Sequence, residues 1–284
     1  MDKNLRPYMA ELLGTFAVVF LSTATVCVEW AGHKAGQPAP GLLGIALAYG
    51  LVYAAGLAAT VPISGGFLNP AITLMLWVLK RMDGPKATGL IFVQLLGAAI
   101  AGGLIRFVFP EDVLISASLG TPHLNLIAFG QLGASPGAVT FLSGIGLELG
   151  LTFILGFVIF ATMLDPRAPR LLGPWGSRLA GLWTGLALTA CTLAGFGLTG
   201  AAANPARWFG PMIWEYTIQA LKDVQGGPSR DHLVYWIGAF LGALLAGGAY
   251  QALILPAEEE PSVSTTTSAT GRTSASSTLI RAKK

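Results

Sequence analysis

The stretch "LTGAAANPARWFGP", residues 198–211, ends a run from Leu179 to Ala206 that has no charged side chain, and then presents Arg207. Inside hydrocarbon such a charge costs several kcal/mol unless it faces protein or water. The same stretch holds a helix-start signal. Asn204 can cap, and Pro205 can take the first helical position, where its missing N–H costs nothing. After Asn204 only "PARWFGPMIW" precedes Glu215, which is half of the roughly 20 residues a helix needs to span a bilayer. The segment therefore reads as a loop that dips into a membrane and starts a half-helix. At that depth irregular backbone is permitted only where it is buried in protein or lines water.

The surroundings agree. Of 284 residues 53% are hydrophobic and 11% charged, with mean hydropathy +0.65, whereas a soluble domain is about one quarter charged. Six stretches, near 8–28, 41–61, 87–107, 138–163, 179–197 and 233–255, are long and apolar enough to cross. Small-residue runs such as "GAFLGALLAGG" allow the helices to approach closely. The first run contains Glu11 and lacks a small-residue cleavage site, so it reads as a retained span rather than a secretory signal. Cys27 and Cys191 lie in or beside apolar spans and read as small buried residues, not a disulfide.

Basic residues set the expected orientation. With both termini cytoplasmic, the inner side holds Lys3, Arg6, Lys80, Arg81, Lys86, Arg167, Arg170, Arg178, Arg272, Arg281, Lys283 and Lys284. The outer side then holds Lys34, Arg106, Lys222 and Arg230. A net charge of +3 is thus topological and gives no sign of nucleic-acid binding. Residues 256–284 are polar and Ser/Thr-rich and read as a disordered cytoplasmic tail.

A repeat organises the rest. "AELLGTF", with Glu11, is echoed by "LELGLTF", with Glu148, and "GGFLNPAIT" by "GAAANPARW". The interval from Glu11 to Asn69 nearly equals that from Glu148 to Asn204, so two landmarks recur in one order at nearly one spacing. Each half holds three spans, so the second enters the membrane in the opposite sense. The expected fold is an all-α membrane protein with six transmembrane helices, two re-entrant half-helices and an inverted 3+3 repeat. Its parts are a first repeat over 1–107, an extracellular connection over 108–137, a second repeat over 138–255 and the tail. Asn69-Pro70-Ala71 and Asn204-Pro205-Ala206 then approach from opposite faces and put two positive helix ends at the midplane. Asparagine amides there can donate to a neutral molecule, while the potential opposes cations and hydronium.

The paired Asn-Pro-Ala motifs, the Arg three residues after the second Asn, and the carboxylates of the first and fourth spans resemble the aquaporin, or major intrinsic protein, family over residues 8–255. The resemblance implies a passive, cofactor-free channel for water, with small neutral solutes as a further permeant class. It also implies a homotetramer in the lipid bilayer, in a cell or plasma membrane. By offset from the motifs it implies a selectivity filter of Tyr49, Thr192, Ala201 and Arg207. Thr192 stands where water-selective members usually carry His, which should widen the filter. Trp208, where glycerol facilitators carry Asp, and the Tyr235-Trp236 pair favour water. The resemblance further implies that Glu11 and Glu148 support the re-entrant loops. They would hold the carbonyls of Gly65, Gly66, Phe67, Gly200, Ala201 and Ala202 toward the pore.

Other classes fit less well. A glycerol or small-solute facilitator shares the fold. A secondary transporter should carry a carboxylate at an unwound segment, and both re-entrant segments lack Asp and Glu. No nucleophile, acid–base or metal constellation suggests an enzyme. His33, His123 and His232 fall in or beside outer connections and are expected to be solvated or capping.

Overall fold

A computed structural model describes residues 4–133, 137–168, 176–224 and 226–255. The chain divides into Met1–Ile254, which carries the helices below, and Leu255–Lys284. The expected tail, 256–284, together with Lys3 and Arg170, lies outside the described residues.

Eight helices carry the architecture: α1 (Arg6–Ala35), α2 (Gly41–Ser64), α3 (Pro70–Val78), α4 (Gly84–Val108), α5 (Ala138–Ile159), α6 (Gly176–Thr199), α7 (Pro205–Glu215) and α8 (His232–Ala249). Single π turns prolong α5 to Leu164 and α8 to Ile254. Six of these helices are long and apolar enough to cross a membrane. Their outer faces carry large apolar side chains in the open, Phe92 at 65% and Leu142 at 66% exposure among them. Such continuous apolar exposure suits lipid, not water.

The short α3 and α7 begin as their sequences dictate. Asn69 is extended (φ −154°, ψ 116°) and its side-chain oxygen accepts from the N–H of Ala71 at 2.9 Å. Asn204 repeats this (φ −158°, ψ 114°) with Ala206 at 3.0 Å. At 1.5 Å per residue the two helices are about 14 and 16 Å long, half a bilayer each.

The packing follows the repeat. Within each half the first helix packs on the second and on the fourth, as α1 does on α2 and α4, and α5 on α6 and α8. Each half-helix crosses over, α3 packing on α8 and α7 on α4. Glycines make these approaches possible. A Cβ on Gly50 would run into the Thr189 hydroxyl and Gly185 carbonyl of α6, and one on Gly242 into the Leu149 carbonyl of α5.

Two elements differ from expectation. Helix α1 continues past residue 28 to Ala35 and ends at Gly36 in the left-handed region (φ 62°). Its terminal charge is satisfied there, because Glu29 accepts from the N–H of Gly41 at 2.6 Å and meets His33 at 2.9 Å. The connection between the halves is not a bare loop. It contains the helical turns Glu111–Ser116, Ser118–Gly120 and Leu126–Gln131. Leu114 and Leu119 bury themselves against Cys27, Ile105 and Ile218.

Candidate functional site

The two re-entrant loops are built alike. The Glu11 carboxylate is fully buried and accepts from the N–H groups of Phe67 (2.9 Å) and Leu68 (2.7 Å) and the Ser64 hydroxyl (2.7 Å). Glu148, equally buried, accepts from the N–H groups of Ala202 (3.0 Å) and Ala203 (2.8 Å) and the Thr199 hydroxyl (2.6 Å). Ser64, Phe67 and Leu68 stand in the same order and at the same intervals before Asn69 as Thr199, Ala202 and Ala203 do before Asn204. A buried carboxylate is tolerable only with such donors. Glu11 has a fourth, the Gln94 amide at 2.8 Å, which no signal in the motif spacing announces.

These cages hold strained backbone. Leu68 (φ 51°) and Ala203 (φ 46°), each just before an Asn, lie in the left-handed region that costs a non-glycine residue about 1 kcal/mol. Both are clamped from two sides. Their N–H groups bond a carboxylate, and their carbonyls accept from the asparagine of the opposite loop: Asn204 Nδ2 to Leu68 at 2.9 Å and Asn69 Nδ2 to Ala203 at 2.9 Å. The asparagines thus lock the loops together across the repeat axis. An amide nitrogen carries two protons, and this lock uses one of each.

A cavity of about 370 Å³ reaches Gly65 and Phe67 at one end, beside Val61, Asp165 and Ala180. Another, of about 380 Å³, reaches Gly200 and Arg207 at the other, beside Trp30 and His123. The asparagine pair joins the two loops that these cavities reach.

Of the expected filter residues, Tyr49 is buried on α2 and donates its hydroxyl to the Ala202 carbonyl at 2.7 Å. The Arg207 guanidinium lies over the Tyr49 ring, 6.0 Å from its centroid, at the limit of a cation–π contact. Arg207 is 3% exposed, and no protein acceptor reaches its Nη1. Ala201 is buried in the same loop with φ 46°. Thr192, buried on α6, turns its hydroxyl back to the Leu188 carbonyl at 2.8 Å.

Two of the expected pore carbonyls already have a donor: Ala202 takes Tyr49, and Phe67 takes the hydroxyl of Tyr53 at 2.7 Å. Tyr235 similarly donates to the Thr199 carbonyl at 2.7 Å and stacks on Trp208 with centroids 5.6 Å apart. Sequence reasoning missed Tyr53. The available signal is its place one helical turn beyond Tyr49, hence on the same face of α2.

The reading of His123 as solvated or capping needs correction. Its ring lies between Glu215 (2.9 Å) and Asp231 (3.0 Å), with its side chain 9% exposed. Burial alone would lower its pKa, but the hydrogen bonds to Asp231 and Glu215 prevail and hold it above the ordinary value of 6.5. The two carboxylates come from distant segments, which is why the local sequence does not reveal them.

The family described as Major intrinsic protein matches residues 1–250. Aquaporin TIP4-1 of Zea mays is 36% identical over 254 residues, covering 88% of this chain and 86% of the maize protein. Aquaporin-4 of Bos taurus is 32% identical over 251 residues, covering 87% and 67% respectively. The aquaglyceroporin structure from Plasmodium falciparum superimposes with a TM-score of 0.68 at 22% identity, covering 88% of this chain and 96% of that one. At that identity the last likeness shows the fold alone.

Proposed function

The chain belongs to the major intrinsic protein family and is a multi-pass membrane channel for water, and we propose that its path runs between Asn69 and Asn204 with Tyr49, Thr192, Ala201 and Arg207 as the filter. The single observation that carries this is the crossed asparagine lock, which ties the loops at the two cavities together and leaves one amide proton on each residue unused by it. A passing water oxygen can accept from those protons. Arg207 Nη1, buried without a protein acceptor, supplies a further donor and a fixed positive charge. The N-termini of α3 and α7 add their dipoles against cations and hydronium.

In this reading the Arg207 end faces outward, both termini are cytoplasmic, and the protein works as a homotetramer in a cell membrane with one pore per subunit. The basic residues of the connections and the family resemblance support that arrangement. Stopped-flow light scattering of proteoliposomes after an osmotic jump with an impermeant solute tests the function. Shrinkage should outpace empty liposomes in proportion to protein content; equal rates would overturn it.

A further inference from the structure

The filter leaves a physical question. Thr192 and Ala201 are both small, so a filter formed by them with Tyr49 and Arg207 would admit more than water. Something narrower must lie elsewhere if larger polar solutes are to be refused.

Tyr53 has the required position. It lies on α2 one helical turn nearer to Asn69 than Tyr49 does, and it is fully buried. Its hydroxyl donates to the Phe67 carbonyl, close to Asn69 in the same loop, and also interacts with the Asn69 side chain. Asn69 spends one amide proton on Ala203. A phenol oxygen beside it competes with a permeant for the other, and the phenol proton takes one lone pair of a carbonyl that would otherwise serve the pore. The Tyr53 ring is fully buried beside that loop. The other half has no equivalent. At the matching offset before Asn204 stands Leu188, which has no side-chain group to donate. The counterpart of Tyr49 there is Thr184, whose hydroxyl bonds the Ala180 carbonyl of its own helix.

We propose that Tyr53 is a specificity-determining residue, and that its aromatic ring at the level of the asparagine pair, not the filter around Arg207, sets the cut-off between water and small polyols such as glycerol. The inference rests on the pore path proposed above. Wild type then conducts water and holds glycerol near the empty-liposome rate. Tyr53→Val removes ring and hydroxyl and should raise glycerol flux about tenfold or more, with water flux raised at least about twofold. Tyr53→Phe keeps the whole ring but, lacking the hydroxyl, frees the Phe67 carbonyl and the Asn69 proton. It should raise water flux about twofold and leave glycerol excluded. Adding Thr192→His to Tyr53→Val should narrow the filter and return glycerol to background.

The experiment is osmotic-jump light scattering of proteoliposomes containing full-length protein, with sucrose and then glycerol as osmolyte, for wild type and these variants. Failure of wild type to conduct water would overturn the channel reading itself. Glycerol conduction by wild type, or glycerol exclusion by a Tyr53→Val protein that still conducts water, would overturn the role of Tyr53 and leave the channel standing. If Tyr53→Val does not assemble, Tyr53→Leu, the residue type at the matching offset of the second half, replaces it, and glycerol exclusion by that variant while it conducts water overturns the proposal.

Discussion

The two repeats are alike in skeleton and unlike in what they offer a passing molecule. Ser64, Phe67 and Leu68 around Glu11 match Thr199, Ala202 and Ala203 around Glu148, bond for bond. Both asparagines cap, and both lock the opposite loop. At the third position after the Asn, however, the first half has buried Ile72 and the second has Arg207. On the second helix of each half, the first presents Tyr49 and Tyr53 where the second presents Thr184 and Leu188. The shared residues hold the loops in place; on the proposed path the unshared ones decide what passes. A symmetric frame with one-sided chemistry lets fold and selectivity vary separately.

Breaking the frame should have the largest effect. Glu148→Ala strands two buried N–H groups and a hydroxyl, and Glu11→Ala strands the equivalent set plus Gln94. Each should cost about 3 kcal/mol or more, Glu11→Ala the more. Thermal unfolding in detergent ranks them, and an inverted order would mean Gln94 contributes nothing to the first cage.

Removing the asymmetry is next. Arg207→Ile makes the second half resemble the first and takes away the fixed charge. Water flux should persist while cation exclusion weakens, read with a pH-sensitive dye inside the vesicles. Unchanged exclusion would leave the helix dipoles as sufficient.

A smaller effect concerns His123, which ties the inter-repeat connection to Glu215 and Asp231, with Arg230 also near. Its pKa in the fold is raised above 6.5. Its stabilising contribution is therefore whole below the unfolded value and lost as pH rises through the folded one. Tm should fall by about a few degrees across that window, and His123→Gln should flatten the dependence. A steeper dependence in the variant would refute the assignment.

The smallest contrast compares two glycines. A Cβ at Gly50 collides with α6, whereas Gly146 has open space around its Cβ position. Gly50→Ala should lower the yield of folded protein, and Gly146→Ala, inside α5 with room for the methyl, should leave stability unchanged or raise it by up to about 1 kcal/mol.

Much of this was readable in advance because it is written locally or by repetition. The Asn-Pro caps lie in adjacent residues, Glu11 and Glu148 stand at matching offsets, and six apolar runs announce six spans. Boundaries were less exact, since α1 runs on to Ala35 once Glu29 finds partners. What stayed hidden depends on the meeting of distant segments. Gln94 reaches Glu11 across 83 residues, and His123 meets Asp231 across 108. Tyr53 was hidden for another reason, because a tyrosine on an apolar helix looks like core until its hydroxyl is seen on a pore-loop carbonyl.

The central claim is that water crosses between Asn69 and Asn204. Its most direct test is the temperature dependence of osmotic shrinkage in wild-type proteoliposomes beside empty ones. A path of exchanged hydrogen bonds predicts fast shrinkage with a shallow dependence. Shrinkage as slow and as steeply temperature-dependent as in empty liposomes would contradict it.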